Sequence, residues 1–296
     1  MAESRIWMAE IRMYARKASA IVFGKTGESM SFYLILAFFG VLAGVTTLLF
    51  GFGGGFVVVP LLYQGLLATH APGSAEAASA MHIAIATSTC VMMASAGLAT
   101  RRRAHLLQWS WIWPLGGYIA LGAVLGASLA VLASGAVLRW AFLAYLGITI
   151  ADCLLRKGFL DGAPARPLGA AATAGAGLGI GAIATFLGVG GSVMTVPLMR
   201  RRGLDMAAAS AMANPLSLPV AVVGTLTYIL LAWREGGPAG PWHAGYVDLR
   251  AFIVLTLSAY AGIRLSAPLA GRIPDRLHAR IYIGLLVLVF VVMTLR

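Results

Sequence analysis

Gly51-Phe52-Gly53-Gly54-Gly55-Phe56-Val57-Val58-Val59-Pro60 returns later in the chain as Gly188-Val189-Gly190-Gly191-Ser192-Val193-Met194-Thr195-Val196-Pro197. Pairing Pro60 with Pro197 sets Gly51 on Gly188, Gly53 on Gly190 and Gly54 on Gly191. Each copy continues into two apolar residues, Leu61-Leu62 and Leu198-Met199. One glycine cluster marks any turn; two in matching register mark an internal duplication. Glycine admits positive φ and close backbone approach but weakens a helix interior. Proline removes a donor and frees a carbonyl one turn back. Inside a bilayer such a break is held only where protein or a water-filled cavity surrounds it. Secondary transporters use broken helices of this kind near the midplane, with helix N-termini aimed at anionic groups. Two tight helix-to-helix turns, or glycines that only let helices pack closely, would leave the same pattern.

Composition supplies the solvent. Of 296 residues 60% are hydrophobic and only 11% charged, with a mean hydropathy of +0.87. A soluble domain carries about 25% charge, so the chain reads as an all-α polytopic membrane protein. The net charge of +12 then belongs to topology-setting loops rather than to nucleic-acid binding. Cys90 and Cys153 both lie in apolar runs, which argues against a disulfide framework. No nucleotide-binding motif, cofactor motif or metal-ligand set is evident, so transport would draw on a gradient.

Residues 1–30 alternate Trp7, Ile11, Tyr14 and Ile21 with Arg5, Arg12, Arg16, Lys17 and Lys25, an amphipathic interfacial extension. The first repeat is expected over 31–155. Its opening run, Phe32 to about Thr69, exceeds one span of about 20 residues and reads as a hairpin broken at the glycines. Runs Ala77–Ala99, about Trp109–Ala133 and Val137–Leu155 follow. Residues 156–167, with Gly158, Pro164 and Pro167, form a linker. The second repeat, 168–296, restarts with a broken hairpin to Met199 and three further runs. Ala78-Ser79-Ala80-Met81 recurs as Ala209-Ser210-Ala211-Met212, and Gly122–Ala130 resembles Gly262–Ala270. Each repeat is thus a Gly/Pro-broken helical hairpin followed by three transmembrane helices.

If each broken run returns, the loops 101–103, 156–167, 200–202 and 271–280 share one side and carry three Lys/Arg each. The opposite loops, 70–76, 134–139 and 233–250, carry none, one and two. The arginine-rich side is then cytoplasmic, and an odd number of crossings per repeat makes the two repeats inverted. The N-terminal stretch, with its five Lys/Arg, falls outside on this count. Either it lies on the outer surface, or the first hairpin differs in parity from the second.

Two halves that each open with Gly-x-Gly-Gly-[Gly/Ser]-x-x-x-x-Pro-Leu resemble the sulfite exporter TauE/SafE family of membrane permeases. Ala86-Thr87-Ser88 and Gly122-Ala123-Val124-Leu125-Gly126-Ala127 are similar to that family as well, and the likeness covers roughly residues 32–296. It implies a secondary transporter, an exporter in the bacterial cytoplasmic (inner) membrane, for small sulfur-containing anions such as sulfite or organosulfonates. A passive anion channel or an uptake permease of the same fold is the alternative. An intramembrane enzyme would need a clustered nucleophile and base, and no such pair occurs within a span. The second half departs from the family pattern: Asn214-Pro215-Leu216-Ser217-Leu218-Pro219 stands where the first half has Ile83–Ser88, so the half-sites are unequal.

A small oxyanion needs donors without a fixed cation that would trap it, and helix N-termini supply them. The expected substrate-binding residues are Gly51, Gly53, Gly54, Gly55, Thr87, Ser88, Gly188, Gly190, Gly191, Ser192, Asn214 and Ser217. Thr89 and Thr195 are further hydroxyls of the same kind. Each could equally be a packing or back-bonded polar group. Arg264 either snorkels to the surface or faces the anion pathway, and His82 is either a gate or a packed histidine. Asp152 lies one turn from Arg156 and reads as half of an interfacial ion pair. The partners expected are the anion and the lipid bilayer; the sequence carries no signal for an oligomeric state.

Overall fold

The computed structural model describes residues 28–69, 74–156, 159–160, 169–235 and 242–294. The expected N-terminal extension and most of the 156–167 linker lie outside the described residues. The helices are α1 (Glu28–Phe50), α2 (Gly55–Thr69), α3 (Ala75–Ala78), α4 (Ala80–Arg102), α5 (Trp109–Leu132), α6 (Gly135–Leu155), α7 (Ala170–Leu187), α8 (Ser192–Arg201), α9 (Met206–Glu235), α10 (Leu249–Ser266) and α11 (Asp275–Thr294). Eight are long and apolar enough to cross a membrane: α1, α4, α5, α6, α7, α9, α10 and α11. With 15 and 10 residues, α2 and α8 fall short of the roughly 20 a span requires. The chain is an all-helical, multi-pass membrane protein. One departure from helix stands in the 233–250 loop, where strand β1 (His243–Ala244) pairs antiparallel with β2 (Val247–Asp248) around Gly245 at φ +60°.

The helix stops follow from the glycines. α1 ends where Gly51, Gly53 and Gly54 take φ of +76°, +65° and +88°, values that only glycine adopts cheaply. α7 ends where Gly188 and Gly190 take +67° and +64°. Pro60 and Pro197 stand inside α2 and α8, and the missing donor at Pro197 frees the Val193 carbonyl, which accepts from Tyr282 Oη at 3.3 Å.

Packing is reciprocal between the halves. α1 lies on α10, α7 on α5, α4 on α9 and α6 on α11. A Cβ added at Gly44 would collide with the Ala259 carbonyl and one at Gly262 with that of Val41. Likewise a Cβ at Gly181 would strike the Ile119 carbonyl, and one at Gly126 that of Ala182. Both contacts bring backbone against backbone, the close approach that small residues permit in lipid. Gly40 and Gly44 occupy in α1 the places that Gly177 and Gly181 occupy in α7 under the Pro60/Pro197 pairing.

Arginine side chains gather helix ends at one face. Arg103 donates to the carbonyls of Leu48 (3.0 Å) and Ala207 (2.7 Å). Arg200 donates to Phe159 O (2.8 Å) and pairs with Asp275. Arg201 pairs with Asp152, which also holds Arg156 at 3.3 Å, and Arg202 lies 3.9 Å over the Trp111 ring. The ends of α4, α6 and α8 and the starts of α5, α9 and α11 therefore share this face, from which Arg103 reaches to the last turn of α1. α1 runs toward it; α7, parallel to α5, runs away from it.

Candidate functional site

The two glycine breaks meet. A Cβ built on Gly55 would lie 2.6 Å from the Gly188 carbonyl oxygen, so the start of α2 touches the end of α7. The two central helices, α4 and α9, wall this meeting point about halfway along their lengths. Met92 on α4 lies against both Gly53 and Gly190. Ser217 on α9 does the same, its Cβ 3.6 Å from a Cβ built on Gly53 and its Oγ 3.4 Å from one built on Gly190.

Side chains from the central helices tie the breaks in place. Ser88 Oγ donates to Gly188 O (2.7 Å) or, alternatively, to Ile85 O (2.9 Å). Ser95 Oγ lies 2.8 Å from Gly53 O and 2.9 Å from Val91 O. Asn214 Nδ2 donates to Thr47 O at 3.2 Å, in the last turn of α1. On each helix the residues facing the breaks fall at i, i+4 and i+7, one helical face: Ser88, Met92 and Ser95 on α4, and Ser210, Asn214 and Ser217 on α9. Ser95 escaped the sequence reading. Its spacing from Ser88 was the signal that could have found it.

What the breaks leave exposed is a set of donors. The first helical bonds of α2 run from Val57 N and Val58 N to Gly54 O, and those of α8 from Met194 N and Thr195 N to Gly191 O. The amides of Gly53, Gly54, Gly55 and Phe56, and in matching register those of Gly190, Gly191, Ser192 and Val193, donate to no described protein group. The hydroxyls of Ser192, Thr195 and Ser210 are buried and without a protein partner, as is one acceptor, Asn214 Oδ1. A buried donor left unsatisfied costs about 1–3 kcal/mol. Two helix N-termini, each with a run of free amides, thus come against Met92 and Ser217, with the unengaged hydroxyl of Ser192 in the first turn of α8. Such a place suits a small oxyanion.

The structure sorts the expected residues. Gly51, Gly53, Gly54, Gly55, Gly188, Gly190, Gly191, Ser192, Ser88, Asn214 and Ser217 come together at the breaks. The hydrogens of Ser88, Asn214 and Ser217 are directed at backbone carbonyls, of Gly188, Thr47 and Ala213 respectively. Ser88 and Asn214 thus hold the breaks, Ser217 is back-bonded within α9, and Ser192 is the expected side chain whose hydroxyl is unengaged. Thr87 faces elsewhere, about 100° round α4 from Ser88; its Oγ1 accepts from Asp248 N at 2.9 Å and anchors the β1–β2 hairpin. His82 Nε2 reaches Ala130 O (3.2 Å) and Ala133 O (3.1 Å) at the end of α5, and its ring stacks on Tyr246. Arg264 is exposed on α10, with Nε 2.9 Å from Tyr260 Oη. A cavity of about 810 Å³ lies between α6, α7 and α8, lined by Ile148, Gly179, Ile183 and Leu198, with Asp152 and Arg201 at one end and Leu187 and Val193 carrying its wall up to the second break. Its apolar walls and its place on the outside of the bundle suit lipid rather than an anion.

A Haemophilus influenzae protein described as "Probable membrane transporter protein" is 25% identical to the chain over 248 residues, covering 82% of this chain and 91% of that protein. The family model described as "Sulfite exporter TauE/SafE" matches residues 36–293. That match spans both breaks and both central helices, and the chain belongs to the sulfite exporter TauE/SafE family of membrane transporters.

Proposed function

We propose that this protein is a secondary transporter that carries small sulfur-containing anions, sulfite or organosulfonates, outward across the bacterial cytoplasmic membrane. The anion lies between the two breaks, near the bilayer midplane. The observation that carries this reading is the pair of unbonded amide runs, Gly53–Phe56 and Gly190–Val193, at two helix N-termini that share Met92 and Ser217 as neighbours. Each N-terminus favours an anion by about 0.3–1 kcal/mol, and by up to about 2 in a buried setting. Ser192 and Thr195 hydroxyls add neutral donors on the side of the second half. A cation would instead need carboxylates or a cage of free carbonyls, whereas the Gly53 and Gly188 carbonyls at the breaks already accept from Ser95 and Ser88. The family description supports the sulfur oxyanion as the substrate class.

The two halves are inverted repeats on this reading. Reciprocal packing, with α1 on α10 and α7 on α5, and the opposed directions of α1 and α7 support it. The arginine-rich face is the cytoplasmic one, and rocking of one half against the other opens the site to each side in turn. The experiment is a liposome flux assay with sulfite, sulfoacetate and chloride, each with and without a pH gradient. Flux of the sulfur anions above chloride is expected. Movement of Na⁺ or K⁺ alone, with no sulfur-anion flux, would overturn the reading.

A further inference from the structure

One side chain fills the meeting point of the breaks. Met92 is fully buried. A Cβ built on Gly53 would lie 3.0 Å from both its Cγ and its Sδ, and one built on Gly190 would overlap Sδ and lie 3.5 Å from Cε. The thioether therefore rests on both glycines at once, between the two runs of free amides. Ser88 and Ser95 flank it on the same face of α4 and hold the carbonyls of Gly188 and Gly53. Met92 is thus centred between two anchors, one for each break.

The chemistry of this side chain does not complete the site. A thioether is a weak acceptor and leaves the amides without partners, whereas an oxyanion would satisfy them. Methionine is unbranched, turns about three bonds and adapts to irregular space, so it can withdraw without moving the backbone. Across from it stands Ser217, small and back-bonded to Ala213 O at 2.9 Å. The glycines are fixed by their φ angles and Ser217 by its bond. The volume open to a ligand is therefore set by where Met92 goes.

We propose that Met92 is a specificity-determining residue of this transporter: a retractable plug that sets the largest anion able to lie between the two breaks. The proposal rests on the anion-site reading above. The test uses the full chain in liposomes, with sulfite and benzenesulfonate as the small and large probes. Met92→Ala is expected to raise the benzenesulfonate-to-sulfite flux ratio at least tenfold. Met92→Leu, branched and stiffer, is expected to lower both fluxes about tenfold in protein that still purifies as a single species. Met293→Leu, a buried methionine of α11, serves as the comparison and should keep both wild-type fluxes. A mere packing role would change stability without changing the ratio. An unchanged ratio in Met92→Ala overturns the plug; if that variant does not insert, Met92→Val carries the same measurement. Wild-type flux of both anions in Met92→Leu overturns it as well. If the wild-type protein carries no sulfur oxyanion at all, the anion reading fails and the plug falls with it. If the wild type carries them and the ratio stays fixed, the plug alone is wrong.

Discussion

Gly54 and Gly191 are twins in sequence and opposites in conformation, which makes alanine at the two positions a sharp comparison. Gly54 has φ +88°, and an added Cβ would lie 2.9 Å from Ser95 Oγ, the hydroxyl beside Gly53 O. The left-handed conformation costs an L-residue about 1–2 kcal/mol, and loss of that hydrogen bond costs about 1 kcal/mol more. Gly54→Ala should therefore destabilise by about 2–3 kcal/mol. Gly191 has φ −66° and ψ −6°, which any residue adopts. Its Cβ would meet only the Ile180 Cγ2 methyl at 2.7 Å and, in ordinary contact, Thr195 Cγ2 at 3.7 Å. Turning that methyl aside costs about 0.5–1.5 kcal/mol, and the reduced freedom of the unfolded chain returns about 0.4–1 kcal/mol. Gly191→Ala should come out near neutral, and the gap of about 2 kcal/mol is a factor of roughly 30 in the folding constant. Reversible unfolding in mixed micelles with rising SDS fraction measures both variants on one scale. Equal losses within about 0.5 kcal/mol, or a larger loss at Gly191, would refute the asymmetry between the breaks.

Three further outcomes follow from the same geometry. Gly126→Leu should prevent α5 and α7 from closing, because even a Cβ there meets the Ala182 carbonyl. Gly179→Ala on the same helix pair, with nothing within 4 Å of its Cβ, should be neutral or stabilise by up to about 1 kcal/mol; the yield of monodisperse protein and micelle unfolding distinguish the two. Asn214→Ala removes the bond to Thr47 O and is expected to lower sulfite flux about tenfold at a stability cost of about 1–2 kcal/mol, and wild-type flux in stable protein would show that the amide does not position the first break. In a chain lacking Cys90 and Cys153, cysteines replacing Arg102 and Arg276 should react with an impermeant reagent from one side of the membrane and a cysteine replacing Arg250 from the other; labelling of all three from one side would exclude the proposed inversion.

Much of the architecture is written in residues whose backbone needs are narrow. Gly51, Gly53, Gly188 and Gly190 take positive φ, so their repeat in sequence is a repeat in shape and could be read directly. The eight spans were legible from hydropathy because lipid imposes one periodicity-free demand on a helix, that it be apolar. That the two breaks face each other follows from the duplication, whereas the particular contact of Gly55 with Gly188 depends on α1 reaching α10 and α7 reaching α5. The destinations of hydrogen bonds were not legible. The sequence leaves the Asn214 amide a choice between a ligand and a backbone group, and its Nδ2 donates to Thr47 O, because a buried N–H takes a carbonyl that the fold brings near. The sequence leaves Thr87 either a site hydroxyl or a packing group, and its Oγ1 accepts from Asp248 N of the 243–248 hairpin, a segment that reads in sequence as a polar loop. Asp152 showed its i+4 partner Arg156 in sequence; its second partner, Arg201, arrives from α8.

The placement of charge explains why an anion site would be made of amides. This chain has cations in surplus, yet its buried ones are occupied at the arginine-rich face: Arg103 on two carbonyls, Arg200 on carbonyls and Asp275, Arg202 on Trp111. Burial pulls the Arg103 guanidinium below its ordinary pKa, against the opposing pull of Asp205, so holding a full charge in such surroundings already has a cost. A guanidinium about 4 Å from a bound anion would attract it by about 4 kcal/mol at an effective dielectric of 20. Each 1.4 kcal/mol of binding lengthens residence about tenfold when the on-rate is fixed. A helix N-terminus contributes a fraction of that charge, and about 0.3–2 kcal/mol. Two of them, both against Met92, would on the proposed reading select the sign of the substrate and still let it leave. The arginines two to three turns away are then free to set the orientation of the chain and to hold the end of α8, whose start forms one side of the site.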